Sequence, residues 1–534
     1  MNRYDAIIVG GGHNGLITAA YLGRAGKKVL VLERRDRIGG AAVTEEIYPG
    51  FFYSPCAQLA GGFSPRIIRD LGLQRFGLKF LQHDPLLLVA APDGQRLLFN
   101  RDADATAGEI RRFSPVDAAH YPDFSLLVRR LAAFLGRLWT NPPLDPSRWE
   151  VGDILRLIGI GLHAFGLSRR ERLEALRVLP MSLADFLDEH FATELLKAAL
   201  AGSGILGAFA GPRAQGTAHL FLHHLVGSDG PVRSRGLVRG GIGKLSSALG
   251  DAARGFGVEI RTAAEVKRLL IKNGRVRGVA LQDGGEIMAQ AVAASVDLRK
   301  IFLDLVPPAA LDPTFRARVE SSRFKGASSR VHFAVKKVTN LKGEADLSSL
   351  HGLIQIGHSL DYLERAYDDA KYGGVSRRPF LEIMIPSLAD PSLAPAGRHV
   401  VSVLVQYTPY HLKEGTWRER KEELGDTVAG IMEDYFPGFA DTVLHRHVVT
   451  PLDLEEDYGL THGDAHHGQL SLDQLFFMRP TIGWSRYRTP IKNLYLCGAS
   501  AHPGAGVTGA PGYNAARQIL KDWREIKRGL NAGP

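Results

Sequence analysis

Residues 4–9, YDAIIV, form an apolar run rich in β-branched side chains, the pattern of a short strand buried on both faces. After a glycine-rich turn, LITAAYLGRAG (16–26) spaces its apolar residues as a helix does, and KKVLVLE (27–33) returns to a strand pattern. Strand, helix and strand in close succession are a βαβ unit. From about residue 100 to 230 the period is helical. Ser168-x-x-Glu171 and Ser182-x-x-Asp185 read as capping boxes, and Pro180 separates the two helices they start. Residues 235–249 read as a loop entering a helix. Strands follow at 257–261 and 264–272, and Asn273-Gly274 turns the latter into RVRGVAL (275–281), a hairpin signal. EIMAQAVAASVD (286–297) leads back toward the first unit. Further strand patterns lie at 329–338, 379–387, 399–407 and 491–499.

The turn in the first unit is Gly10-x-Gly12-x-x-Gly15. Gly10 makes the tight bend, Gly12 lets backbone approach a pyrophosphate, and Gly15 lets helix and strand pack closely. The helix N-terminus offers free N–H groups to phosphate. Glu33, at the end of the second strand, stands where an acid accepts the ribose hydroxyl and disfavours a 2′-phosphate. A ligand-free tight turn explains the glycines but not Glu33. Gly39 and Gly40, followed by Ala41 and Ala42, open a second close approach to the same nucleotide. Near the other end, strand 491–499 ends in Gly498 and Ala499, and HPGAGVTGAPG (502–512) leads into a helix. No acid follows this second turn, so both glycine-rich ends serve one elongated cofactor: the first its pyrophosphate, the second its distal end.

A chain of 534 residues forms two or three domains. The net charge of +10 comes from 66 basic and 56 acidic residues spread along the chain, which gives nucleic-acid binding little support and leaves weak attraction to an anionic membrane surface open. The two cysteines, Cys56 and Cys497, form no C-x-x-C, so neither a redox dithiol nor a cysteine zinc site is expected. That fits a reducing cytoplasm, and the strand beginning near residue 4 leaves no room for a signal peptide. Residues 154–167 are apolar nearly all round and are followed by Arg169, Arg170, Arg172 and Arg177. The favoured reading is a helix buried in a cap; the alternative is a surface resting on a membrane.

VGGGHNGL (9–16), ERRDRIGGAA (33–42), RGGIGKLSSAL (239–249) and NLYLCGASAHPGAGVTGAPGYNAA (493–516) occur in order over essentially the whole chain. Together they resemble the phytoene desaturase and carotenoid isomerase clan of FAD proteins. GTAHLFLHHLVG (216–227) and HHGQLSLDQLFFMRP (466–480) are most similar to the pyridine nucleotide-disulfide oxidoreductase domain-containing protein 2 group, despite the missing dithiol. The resemblance implies an α/β fold: a glutathione-reductase-like FAD-binding Rossmann domain with an inserted mixed-sheet substrate domain and a helical cap. The FAD-binding parts are expected at 1–100, 235–300 and 471–534, the cap at 101–234 and the substrate domain at 301–470. The cofactor set it implies is Gly10, Gly12, His13, Asn14, Gly15, Glu33, Arg34, Gly39, Gly40, Ala41, Ala42, Val266, Gly498, Ala499, Gly509, Ala510, Pro511 and Asn514, with Val266 at the adenine.

The activity implied is hydride transfer from an apolar polyene, isoprenoid or lipid-like substrate to FAD. The alternatives are a flavin amine oxidase and a non-catalytic protein that holds lipidated partners. Flavin chemistry requires no triad, and none is spaced for one. His502, inside the C-terminal turn, and His224, in FLHHLV, are the catalytic candidates; a core histidine is the competing reading for His223 and His224. The crowded cluster His462, Asp464, His466 and His467 invites a metal, but no metal is expected there. Cys497 reads as packing. A homo-oligomer is compatible with the sequence, which sets no order for it.

Overall fold

The computed structural model describes residues 3–146, 151–343 and 346–531. Two seven-stranded sheets organise the chain. The first gathers segments from both ends and the middle of the sequence. Strand Arg3–Val9 lies parallel between Val29–Leu32 and the second half of Glu286–Ala294. Glu259–Arg261 extends the parallel part beyond Val29–Leu32, and Leu494–Leu496 extends it beyond Glu286–Ala294. Val29–Leu32 is buried at every position, which explains its unbroken apolar sequence. The hairpin Val266–Lys272 and Arg275–Leu281 adds antiparallel to the first half of Glu286–Ala294. Asn273 and Gly274 at its tip have φ of 52° and 67°, the left-handed pair such a turn needs. Helix His13–Arg24 packs against both Gly243–Gly255 and Ala510–Asn531.

The second sheet runs in the order Val443–Val449, Ser328–Val335, His399–Gln406, Phe380–Met384, Leu353–Ile356, Leu87–Ala90, Arg96–Phe99. Alternation divides its faces. Val331, Phe333, Val401 and Val403 pack under Trp417, Leu424 and Val428 of helix Trp417–Tyr435. The opposite face, also covered by protein, is polar: it carries Gln355, Glu382, Ser402, Gln406, Arg330 and His332. Gln355 Nε2 donates to the Ala198 carbonyl, and Gln406 Nε2 donates to those of Ile205 and Ala208, each at 2.8 Å. These bonds dock helix Glu194–Ile205 onto the sheet.

Seven helices fill 103–224 among the described residues. The Ser168–Glu171 capping box forms, each backbone N–H meeting the other side chain at 2.7 and 3.2 Å. The Ser182 box forms only in half: Ser182 accepts from the Asp185 N–H, but the Asp185 carboxylate takes the Ser182 hydroxyl instead of its backbone.

The buried-cap expectation for 154–167 is overturned. Helix Val151–Phe165 exposes Leu155 (72%), Leu162 (67%) and Phe165 (78%), and the next helix, Arg169–Arg177, exposes Leu176 (73%). The reason is how the helix is held. Buried Asp153 pairs with Arg486 at 2.6 Å and with Arg156 at 2.8 Å, so an ion pair anchors the helix while its apolar residues face outward. Among the described residues no helix is long and apolar enough to cross a membrane.

Candidate functional site

A cleft of about 420 Å³ opens at the C-terminal ends of Arg3–Val9 and Val29–Leu32, where an open parallel sheet places a ligand. Of the sequence candidates, Gly10, Gly12, His13, Asn14, Glu33, Arg34, Gly40, Ala41, Val266 and Ala499 line it. The three glycines divide their work by geometry. Gly10 turns at φ 96°, and a Cβ on Gly15 would stand 2.3 Å from the Gly10 carbonyl oxygen. A Cβ on Gly12 would meet nothing nearer than Ser295 Oγ at 3.7 Å, because it would project into the cleft. Gly12 also caps helix His13–Arg24 without a side-chain acceptor, so the first N–H groups of the helix are not capped by a side chain. Glu33 is fixed by accepting from the Gly11 N–H at 2.7 Å and the Arg35 N–H at 3.0 Å.

The two glycine-rich ends of the chain touch. Gly512 N–H donates to Asn14 Oδ1 at 3.4 Å, Thr18 Oγ1 donates to the Gly512 carbonyl at 3.0 Å, and a Cβ on Gly512 would lie 2.3 Å from the Asn14 carbonyl oxygen.

The sequence profile of flavin-containing amine oxidoreductases matches residues 15–520. The chain belongs to that family. It is 37% identical to "Pyridine nucleotide-disulfide oxidoreductase domain-containing protein 2" of Mus musculus, over 98% of this chain and 94% of that protein. It is 26% identical to the lycopene-forming phytoene desaturase of Pantoea ananas, over 95% of this chain and 96% of that protein. The resemblance read from the motifs therefore holds. The fold is that of a triple mutant of putrescine oxidase, with a TM-score of 0.62 at 14% identity over 98% of this chain and 99% of that one. The protein is an oxidoreductase and its cofactor is FAD. The residues present fit that group: the open Gly12 cradle, an uncapped helix terminus and the fixed Glu33 carboxylate suit a dinucleotide. Buried His13 Nε2 and His467 Nδ1, both without a hydrogen-bond partner, sit on the same wall.

In this flavin-dependent oxidoreductase, Gly15, Gly39, Ala42, Gly498, Gly509, Ala510, Pro511 and Asn514 are not among the residues that line the cleft. A Cβ on Gly498 would meet the Ser295 carbonyl at 2.4 Å, and one on Gly509 would meet Ile17 and Ile67 at 2.7 Å. Ala510 is buried in the hydrophobic cluster that also holds Trp139, Phe221 and Leu225. Asn514 Nδ2 donates to the Trp139 carbonyl at 2.7 Å and to Tyr487 Oη at 2.9 Å, while Tyr487 donates to the His502 carbonyl at 2.9 Å. That chain of bonds holds the C-terminal turn against the end of helix Pro115–Trp139.

His502 and His224 are both enclosed. His502 Nε2 donates to the Leu138 carbonyl at 3.3 Å, leaving Nδ1 a buried, unpartnered acceptor, and burial lowers its pKa to about 4. His224 lies 5.7 Å, ring to ring, from both His223 and His466, and burial above all drives its pKa well down. Both are therefore neutral near pH 7. His223 donates to the Ala505 carbonyl at 3.1 Å, as a satisfied core histidine does. Among the described residues no group of three or more His, Cys, Asp or Glu is placed to hold a metal ion. Asp464 instead ties its loop together, accepting from the N–H groups of Lys325 and His466 and from Gln469 Nε2 at 2.9–3.1 Å. Cys497 is buried, its thiol pushed up to about 12 by desolvation.

A second cavity, about 560 Å³ and mostly apolar, lies between helices Pro115–Trp139 and Val151–Phe165. Its wall includes Phe134, Leu138, Leu155, Ile160, Phe476 and His502. It thus connects the exposed apolar helix with the C-terminal turn.

Sequence reasoning missed two parts of the site. Tyr458, Thr461 and His462 close the cleft from the far side, with Thr461 Oγ1 donating to Asp297 Oδ2 at 2.6 Å. No spacing signal marks Tyr458 or Thr461, which come from a segment remote from either glycine turn, and the sequence offers His462 only as a member of the crowded His462–His467 cluster. Arg479 is the other. Buried, it donates to the carbonyls of Ala499, His466, His467, Gly468, Gln469 and Gln474, at 2.8–3.3 Å, and so sews the C-terminal turn to the 466–474 loop. Its signal in the sequence is an arginine set between the short apolar run 475–478 and Pro480.

Proposed function

We propose that the enzyme oxidises an apolar, lipid-like or polyene substrate by a desaturase or dehydrogenase reaction. The observation that carries this reading is the second cavity, whose apolar wall runs from an exposed apolar helix to His502. When bound, the flavin supplies hydride acceptance. The chain supplies positioning. On this reading Gly12 and the terminus of helix His13–Arg24 hold the pyrophosphate, and Glu33 accepts the ribose hydroxyl. Gly10, Asn14, Arg34, Gly40 and Ala41 shape the path, Val266 meets the adenine, and Ala499 and His13 approach the flavin end. Gly15, Gly39, Ala42, Gly498, Gly509, Ala510, Pro511 and Asn514 serve as the scaffold beneath. The parallel strands with their antiparallel hairpin make up a glutathione-reductase-like nucleotide domain drawn from the expected segments 1–100, 235–300 and 471–534, with 101–234 as cap and 301–470 as substrate domain, except that Leu87–Ala90 and Arg96–Phe99 leave the first segment to join the second sheet.

Neutral His502, with a free Nδ1, can accept a proton or a hydrogen bond beside the substrate, and His224 can do the same deeper in the fold. Phe134, Leu138 and Phe476, on the same wall as His502, limit the water at the reacting carbon. The exposed leucines and Phe165, flanked by Arg169 and Arg170, make the cavity mouth a place for peripheral contact with an anionic membrane. Amine oxidation is the second reading, favoured by the family to which the chain belongs. Anaerobic mixing of the yellow protein with polyenes, retinoids, fatty acyl compounds and amines separates the two. Flavin bleaching by an apolar compound is expected; bleaching by amines alone would overturn the proposal.

A further inference from the structure

On the polar face of the second sheet, Gln355, Glu382, Leu404, Arg330 and Val449 lie in one row across five strands. Neighbouring strands are about 4.8 Å apart, so Glu382 and Arg330 stand roughly 10 Å from each other with Leu404 between them. Arg233 reaches across from the 231–235 loop and pairs with Glu382. That pair is neutral. Arg330 makes no hydrogen bond or ion pair with any described residue, and its Nη1 is buried.

The environment gives this guanidinium nothing to neutralise it. The charged or titratable groups that bear on it are Glu382, already paired, Cys56, the like-charged Arg233 and His332, which burial holds neutral. Burial holds the Cys56 thiol far above its usual range, so it is uncharged. Desolvation lowers the Arg330 pKa only to about 10, and the group keeps its charge at neutral pH. An isolated buried cation is strongly unfavourable unless an anion joins it.

Arg330 is only partly buried, so some of its guanidinium surface remains open to a ligand. The unpartnered buried atoms near it include the donors Arg330 Nη1, Arg233 Nε and the hydroxyl of Tyr53, whose ring lies 5.3 Å from His332 two residues along the strand, together with the Nε2 atoms of His332 and His224. Donors without acceptors call for an acceptor-rich ligand. The row also ends near the cofactor cleft, because Val449 belongs to a small apolar cluster against which Cys56 and Ala41 of the cleft wall pack.

We propose that Arg330, with Arg233 beside it, is an anion subsite, and that the substrate carries a carboxylate or phosphate head group on its apolar body. This rests on the reading of the enzyme as an oxidase of apolar compounds and narrows it: a cationic amine is repelled here, and a bare hydrocarbon leaves the guanidinium unmatched. The two head groups share one chemistry, since either fits the planar fork of arginine with two parallel hydrogen bonds.

The test uses the FAD-loaded protein and four probes of equal chain length below their micellar concentrations: decanoate, decyl phosphate, decanol and decylamine. Binding is read as perturbation of the flavin absorption spectrum and, independently, by calorimetry. Decanoate or decyl phosphate should bind at least about tenfold tighter than decanol, the effect of a charge-assisted hydrogen bond, and decylamine more weakly still. Which of the two acids binds tighter identifies the head group. Arg330→Met should erase the preference, Arg330→Lys should restore part of it, and thermal midpoint and flavin content should show that both variants are folded. Equal affinity for acid and alcohol in the wild type, or an Arg330→Met protein with unchanged acid affinity, would overturn the subsite. So would an Arg330→Met protein whose only change is weaker sulfite addition to the flavin, which would assign the charge to the cofactor. If the protein purifies without flavin, the functional reading fails instead, and calorimetry with the same probes still decides the subsite.

Discussion

Two glycines three residues apart in one turn should fail in opposite ways when given a side chain. Gly12 has extended backbone at φ −67° and ψ 165°, which valine adopts freely, and its nearest obstacle is Ser295 Oγ at 3.7 Å. Replacing an N-cap glycine with valine costs the helix about 1 kcal/mol, so Gly12→Val should fold. Its branched side chain, however, would fill the space through which a pyrophosphate reaches the helix terminus. That contact alone contributes up to about 2 kcal/mol, roughly thirtyfold in affinity, and the steric block adds to it. Gly15 faces the other way. Even alanine there puts Cβ 2.3 Å from the Gly10 carbonyl oxygen, 3.1 Å from Ser295 Cβ and 3.2 Å from Ile8 Cγ2. The first of these is backbone and cannot swing aside, so Gly15→Ala should cost about 1–3 kcal/mol or more through overpacking. Thermal midpoints of the flavin-free proteins, together with flavin released per chain by acid precipitation, measure the two effects separately. Gly12→Val should be colourless with a near-normal midpoint, and Gly15→Ala should lose several degrees. Full flavin content in Gly12→Val, or a Gly15→Ala protein as stable as the wild type, would refute the division of roles.

Acid should destabilise the fold through its buried histidines. His13, His223 and His502 are lowered to about 4, and His219 and His466 to about 3, in each case chiefly by burial. Because the unfolded chain takes up these protons near pH 6.5 and the folded one does not, stability is full above that pH. It falls on acidification by about 1.4 kcal/mol per pH unit for each histidine, until the folded values are reached. A thermal midpoint that stays flat from pH 7.5 to about 5 would contradict this. Arg479→Met strips the charged donor from six carbonyls and should destabilise by about 3–5 kcal/mol, as loss of a buried charged partner does. An unchanged midpoint would show that those carbonyls find other partners. In liposome flotation at low salt, anionic vesicles should carry the wild type upward, and the triple variant Leu155→Glu, Leu162→Glu, Phe165→Glu should stay at the bottom. Equal flotation of both would place any membrane contact elsewhere.

Local covalent rules and periodicity were enough to determine the glycine-rich turn. The strand–turn–helix of residues 4–26 is set by neighbours in sequence, and the need for glycine at Gly10 and Gly15 arises largely from the turn's own backbone: a φ of 96° at the first, and the Gly10 carbonyl oxygen 2.3 Å from a Cβ at the second. The same holds for the Asn273-Gly274 hairpin and the Ser168 capping box. Tertiary structure decided whatever depended on which surfaces meet. Nothing local in Val151–Phe165 says that buried Asp153 will hold the helix through Arg486, hundreds of residues away, and leave its apolar face bare. Gly509 and Ala510 carry a signal like that of Gly10 and Gly12, but their neighbours in space are Ile17, Ile67 and the hydrophobic cluster that holds Trp139, so they pack where the first turn opens. Arg330 is an ordinary strand residue in the sequence. It becomes a lone cation only because the sheet's alternation turns it inward and Glu382 is taken by Arg233. A charge's meaning is set by the dielectric and the partners around it, and long-range folding alone supplies both.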